Sequence, residues 1–181
     1  MIENIIGKGT WIDKVANTLI MREKKLNRNI DLIKVESGLG ASGIPHIGSM
    51  GDAVRAYGIS LALQNLGYNS ELIAYSDDMD GLRKIPAGFP PWLKDHIAEP
   101  VSHIQDPFGD CHNSYGSHMS SLLLDGLDRV NVKYIFKSAT EVYKSGILID
   151  AIDQILTKSE SLGQKISEFV GQNKFLTVLP Y

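Results

Sequence analysis

The chain has 181 residues, 43% hydrophobic and 22% charged. That is enough for one good core, or the first half of a large domain, and too apolar for disorder. Its net charge of −3 brings no basic field beyond the short run Arg22-Glu23-Lys24-Lys25, so bulk charge does not advertise a nucleic-acid binder, although an RNA footprint elsewhere stays compatible with it. No apolar leader or long apolar run supports a signal peptide or membrane span, and one cysteine excludes an internal disulfide, so a reducing, cytoplasmic setting is expected.

Trp11, Val15 and Leu19, with Ile12 and Ile20 alongside, predict an amphipathic helix over residues 11–25. Residues 30–35 (I-D-L-I-K-V) read as a strand buried on both faces of a parallel sheet. Residues 36–52 follow as E-S-G-L-G-A-S-G-I-P-H-I-G-S-M-G-D and carry five of the chain's seventeen glycines. An apolar-periodic segment over 50–66 predicts a helix ending at Gly67, and residues 70–75 a second strand. Strand, glycine loop, helix and strand make a βαβ unit, whose loop falls where ligands bind, at the strands' carboxyl ends. Glycine tolerates positive φ and leaves no Cβ in the way of a phosphate meeting backbone N–H groups. His46 stands at the helix mouth, where an imidazole can donate to an anionic oxygen, and Gly48 leaves room for a flat ring. Gly38-Leu39-Gly40-Ala41-Ser42-Gly43 also fits a dinucleotide fingerprint, but no acidic residue follows a second strand at the spacing that fingerprint expects, and Pro45-His46-Ile47-Gly48 would go unexplained.

Asp77-Asp78-Met79-Asp80 follows the second strand directly, so at least one carboxylate is expected to face the ligand crevice, while others cap a helix or turn. Pro86, Gly88, Pro90, Pro91 and Pro100 make residues 82–105 loop-like, with room for a short helix over 92–98. His103, Asp106, Asp110, Cys111, His112 and His118 then fall within sixteen residues. A thiolate, imidazoles and a carboxylate suit tetrahedral Zn²⁺; the alternative is a buried thiol beside incidental surface histidines. Residues 120–130 predict a helix and 132–136 a third core strand. Ser138-Ala139-Thr140-Glu141 marks another helix start. Residues 147–169 suggest one long helix with Ile149, Ile152, Ile155, Leu156, Leu162, Ile166 and Phe169 inward, and 175–179 a last short strand.

Residues 41–49, Ala41-Ser42-Gly43-Ile44-Pro45-His46-Ile47-Gly48-Ser49, resemble the His-Ile-Gly-His motif of class I aminoacyl-tRNA synthetases, in the form used by archaeal-type class I lysyl-tRNA synthetases. Three further stretches resemble the same family in the same order: 75–86 (Y-S-D-D-M-D-G-L-R-K-I-P), 106–112 (D-P-F-G-D-C-H) and 136–146 (F-K-S-A-T-E-V-Y-K-S-G). The resemblance covers nearly all of the chain from Trp11 onward. It implies a Rossmann-like α/β fold, a parallel sheet flanked by helices, with a loop-rich zinc-binding insertion at about 82–118.

The resemblance also implies roles. His46 would be catalytic, with nucleotide contacts at Ala41, Ser42, Gly43, Pro45, His46, Gly48 and Ser49. Gly38, Gly40, Asp77 and Asp80 would border the amino acid. Asp106, Cys111, His112 and His118 would hold a structural Zn²⁺; Asp110 is an extra residue before the cysteine and competes with Asp106 for the oxygen position, and His103 is the reserve ligand. Ser49 stands where the family motif has its second histidine, often asparagine in the lysine enzymes, and its hydroxyl reaches less far. The implied substrates are ATP with Mg²⁺, lysine and tRNA(Lys). The family's Lys-Met-Ser-Lys-Ser loop has no counterpart; Lys158-Ser159-Glu160-Ser161 is only faintly similar and puts a glutamate where positive charge is wanted. An amino-terminal piece of a longer catalytic domain, inactive alone, is therefore expected. A small nucleotidyltransferase with a histidine-glycine motif and a non-catalytic nucleotide- or lysine-binding module are the rival readings.

Overall fold

The computed structural model describes residues 7, 9–109 and 111–171. They divide into two compact units at the Thr140–Glu141 bond. Every residue singled out above as a site candidate lies in the first unit, apart from Asp110, which falls outside the described residues.

Helix α1 (Trp11–Lys25) begins with a capping box, in which the Asp13 carboxylate accepts from the Thr10 N–H at 2.8 Å and the Thr10 hydroxyl accepts from the Asp13 N–H. Asp13, Ala16 and Ile20 are its buried residues; of the expected apolar positions Ile20 is buried, Ile12, Val15 and Leu19 are partly buried, and Trp11 is exposed. Strand β1 (Ile33–Leu39) starts later than expected because Asn29 accepts from the Asp31 N–H at 2.7 Å, an Asx turn that takes up residues 29–31. It also runs on to Leu39, because β2 (Ser70–Ser76) offers ladder partners to its end, Gly38 opposite Tyr75 and Leu39 opposite Ser76. Gly38 is thus a strand residue.

Helix α2 (Ile47–Asn65) joins the two strands, and they are parallel, as a βαβ unit requires. Gly67 sits at φ +87° just past the helix, the left-handed position a C-terminal glycine supplies. Helix α3 (Tyr115–Arg129) begins five residues earlier than periodicity suggests, since Ser114 caps it by accepting from the Ser117 N–H at 3.1 Å. Its end consumes residues 130–132: Asn131 is left-handed, and the Val132 N–H returns to the Leu127 carbonyl. Strand β3 (Ile135–Ser138) therefore starts after the expected boundary and pairs parallel with β2, giving the order β1-β2-β3. It is mostly exposed in the described structure, not a core strand.

Val35, Ser37 and Leu39 share one sheet face with Leu72, Ala74 and Ser76. Helices α2 and α3 cover that face through Ala53, Ala56, Leu123 and Leu127, and α1 packs behind through Ala16 and Ile20. The opposite face carries Lys34 and Glu71, paired at 3.8 Å, so β1 is not buried on both sides as expected. Buried serines join the layers: Ser60 to Ser70 at 3.0 Å and Ser76 to Ser120 at 2.7 Å.

The proline-rich stretch is ordered by backbone pairing. Residues 98–102 exchange hydrogen bonds with residues 78–82, from Ala98 N–H to the Leu82 carbonyl at 2.8 Å to Ser102 N–H to the Asp78 carbonyl at 2.8 Å. A Cβ on Gly81 would lie 2.9 Å from the Ala98 carbonyl oxygen, so glycine permits that approach. The short helix expected at 92–98 is a 3₁₀ turn, Pro91–His96. Leu82, Phe89, Leu93, Val101, Ile104, Tyr115 and Met119 give the stretch its own core, which reaches Ala41.

After β3, α4 (Ala139–Lys144) starts where Asp78 Oδ1 accepts from the Thr140 N–H at 2.8 Å. In the second unit the expected single helix is two, α5 (Ile149–Thr157) and α6 (Ser159–Val170), broken at Lys158, which sits at φ −108° and ψ 14° although its carbonyl still accepts from the Leu162 N–H at 2.9 Å. Ile149, Leu156 and Phe169, expected inward, are exposed. The strand expected at 175–179 lies outside the described residues. No helix among the described residues is long and apolar enough to cross a membrane.

Candidate functional site

The loop from β1 to α2 opens at the carboxyl end of the sheet. None of Gly38, Gly40, Gly43, Gly48 and Gly51 has positive φ, so the expected conformational reason for glycine does not apply here. Space is the reason at two of them. A Cβ on Gly38 would fall 3.3 Å from an Asp77 carboxylate oxygen, and one on Gly48 would fall 2.8 Å from His46 Cε1. The flat ring that Gly48 accommodates in this structure is the His46 imidazole.

His46 is the N-cap of α2: its Nδ1 accepts from the Gly48 N–H at 3.0 Å and the Ser49 N–H at 3.3 Å. Two donors aimed at Nδ1 require it to be unprotonated, so the neutral ring carries its hydrogen on Nε2. The cap therefore leaves His46 with one outward-facing donor at the positive end of a helix. Ala41 is buried, Ser42 and Gly43 are partly buried, Gly40 is exposed, and the Ser42 carbonyl accepts from the Tyr115 hydroxyl at 3.1 Å. The Ser49 N–H is spent on the cap. The loop is open to solvent at His46, Ile47 and Gly48. Cavities of about 410 and 220 Å³ are lined by other residues, the larger including Glu36 at its edge.

The three aspartates after β2 separate by role. Asp78 is buried and spent on the Thr140 N–H, a structural cap. Asp80 is exposed and accepts from Arg83 at 3.3 Å. Asp77 is partly buried beside Gly38, and its N–H donates to the Leu39 carbonyl at 3.0 Å, so it sits against the end of β1. Burial, then the charges of Asp80, Glu36 and Asp78, raises its carboxyl above the usual range. A carboxylate surrounded by like charge is relieved by a cation. Sequence reasoning did not single out Glu36, though its place immediately before the glycine loop was a usable signal.

Asp106, Cys111, His112 and His118 converge. Asp106 Oδ2 lies 3.2 Å from Cys111 Sγ, 2.9 Å from His118 Nδ1 and 3.6 Å from His112 Nδ1. Cys111 Sγ lies 3.1 Å from His112 Nδ1 and 3.5 Å from His118 Nδ1, and the two imidazole nitrogens are 3.2 Å apart. These six separations outline a nearly regular tetrahedron. Metal–ligand bonds of about 2.0–2.3 Å would give tetrahedral edges of about 3.3–3.8 Å, so the donor set fits Zn²⁺ with little adjustment. Asp106 is buried and its other oxygen accepts from the Phe108 N–H at 2.9 Å. Burial pushes its carboxyl up, but hydrogen bonds from His118, Phe108 and Cys111 outweigh that and hold it at about 2. Cys111 is exposed, not the buried thiol of the alternative reading, and His103 is exposed and outside the group. The Phe108 ring lies 5.0 Å from the His118 ring and 4.9 Å from Phe89, tying the cluster to the neighbouring core.

Fold and geometry thus define an α/β protein with a parallel sheet, a histidine-capped glycine loop at the sheet's carboxyl end and a four-residue donor cluster beside it. The family model described as tRNA synthetases class I (K) matches residues 9–181, and the chain belongs to that family. The lysine–tRNA ligase of Cenarchaeum symbiosum (strain A) is 60% identical over 180 residues, 99% of this chain and 34% of its own length. That of Rickettsia bellii (strain OSU 85-389) is 30% identical over 184 residues, 100% of this chain and 35% of its own length. The chain spans about a third of the length of these curated relatives.

Proposed function

We propose that the chain is the amino-terminal part of the catalytic domain of a class I lysine–tRNA ligase, with residues 82–118 as an insertion in that domain. The intact cytoplasmic enzyme would activate lysine with ATP and pass the lysyl group to tRNA(Lys). The observation that carries this reading is the meeting, at one end of the sheet, of a histidine-capped helix and the Asp77 carboxylate packed on the end of β1.

In the first step the lysine carboxylate attacks the α-phosphorus of ATP, a carboxyl–phosphate bond forms, and the bond to pyrophosphate breaks. The residues here orient reactants and neutralise charge rather than enter covalent chemistry. His46 donates from Nε2 to a phosphate oxygen, held in that tautomer by Gly48 and Ser49. Ala41, Ser42, Gly43, Pro45 and Gly48 form the surface the nucleotide lies on, and Mg²⁺ enters with ATP. Gly38 and Gly40 border the lysine, and Asp77, with Asp80 beyond it, pairs with an ammonium. Asp106, Cys111, His112 and His118 would hold Zn²⁺, which supplies a cross-link fixing the 106–118 segment and takes no part in the chemistry.

Titration of the chain with lysyl-sulfamoyl-adenosine tests this. Saturable binding that His46→Ala and Asp77→Asn each weaken is the expected result; equal binding by all three would remove the assignment. In the intact enzyme, His46→Ala is expected to slow lysine-dependent ATP–pyrophosphate exchange by about 100-fold or more, the scale of losing one transition-state donor.

A further inference from the structure

The first turn of α3 touches all three parts of the site. Tyr115 is fully buried, and its N–H donates to the Ile104 carbonyl at 2.8 Å. Gly116 follows, its N–H on the Val101 carbonyl at 2.9 Å, and a Cβ there would lie 3.3 Å from the Asp78 Cβ, so the turn is seated against the aspartate loop. His118, within the same helix, belongs to the donor cluster. Tyr115 belongs to the same buried cluster as Ala41, and its ring lies 5.8 Å from the Phe89 ring. Its hydroxyl crosses 73 residues of sequence to donate to the Ser42 carbonyl at 3.1 Å. Among the described residues this is the side-chain hydrogen bond that reaches the backbone of residues 40–45.

We propose that Tyr115 is a positioning residue for the glycine loop: its hydroxyl fixes the Ser42 peptide, so that the loop's shape for a nucleotide is set by the helix that also carries His118. The inference rests on the reading that this loop binds ATP. The logic is one of rigidity. The loop leaves the sheet at Leu39 and regains regular structure at Ile47, and between them, among the described residues, the burial of Ala41 in the neighbouring core and this hydrogen bond tie it down. Removing the hydroxyl while keeping the ring leaves the packing in place and frees the peptide, which raises the ordering cost of binding.

The test is Tyr115→Phe in the ¹⁵N-labelled 181-residue chain, read by the amide signals of Ser42, Gly43 and Ile44, by ATP titration and by thermal melting. The expected result is displaced or broadened loop amides, an ATP Kd raised by roughly five-fold and a nearly unchanged melt. Unchanged loop amides and Kd would overturn the proposal. So would a midpoint lowered by more than about 6 °C, the scale of a general stability role in a chain of this size. Failure of the unsubstituted chain to bind ATP would instead overturn the reading of the loop, and the nucleotide part of this proposal with it. In that case the amide signals still decide whether the hydroxyl holds Ser42.

Discussion

His46 and Gly48 act as one device at the residue scale. An alanine at 48 would drive its Cβ to 2.8 Å from the imidazole and push the ring off its cap. Losing the cap costs about 1 kcal/mol, and alanine's better helix propensity returns up to about 1 kcal/mol. Gly48→Ala is therefore expected to leave stability almost unchanged while moving His46. The ¹⁵N shifts of the ring should lose the signature of hydrogen on Nε2, and ATP affinity should fall. Asp77 makes the opposite trade. Its raised carboxyl disfavours the folded state once ionised: the penalty is absent below the ordinary carboxylate pKa of about 4, grows as pH rises towards the raised folded value, and is constant above it. Asp77→Asn is thus expected to stabilise the chain at neutral pH, with the gain vanishing in acid, and to weaken lysine binding. Denaturant midpoints at the two pH extremes measure the first effect and titration the second.

The element scale shows why boundaries shifted. Two displaced starts trace to a side chain that captured a backbone N–H, Asn29 before β1 and Ser114 before α3, and the late start of β3 to the Val132 N–H returning to Leu127. Hydrophobic periodicity carries no record of such bonds, although Ser114 with Ser117 three residues on was a legible capping pattern. Local sequence did identify the βαβ unit and the histidine at the helix mouth, and it gathered six candidate donors, from which the family resemblance picked the four that converge. It could not say that Asp78 is spent on a distant helix start, because Thr140 lies 62 residues away. The cluster makes its own prediction. One Zn²⁺ per chain should be found by elemental analysis, and Cys111→Ser should weaken its binding by at least about 100-fold, since even supporting residues of zinc sites are worth 10–100-fold. Chelation should then unlock residues 106–118 to proteolysis first. A metal-free chain with unaltered protection would remove the centre.

For the whole molecule, burial decides which changes matter. Leu72, on β2 beneath α2 and α3, is 1% exposed, and Leu72→Ala should cost about 2–5 kcal/mol. Phe169, chosen by periodicity as a core residue, is 92% exposed, and Phe169→Ala should stay within about 0.5 kcal/mol in a denaturant titration. Sequence by itself determined the kind of chain this is: a strand, a glycine loop ending in Pro45-His46-Ile47-Gly48 and a helix are consecutive, and their identity depends on neighbours in the chain. Tertiary structure alone decided that Gly38 makes room for Asp77, that Tyr115 holds Ser42, and that four donors from residues 106–118 close into a tetrahedron. Those relations depend on how separate segments are brought together by the sheet and its buried face, and no local pattern encodes that distance.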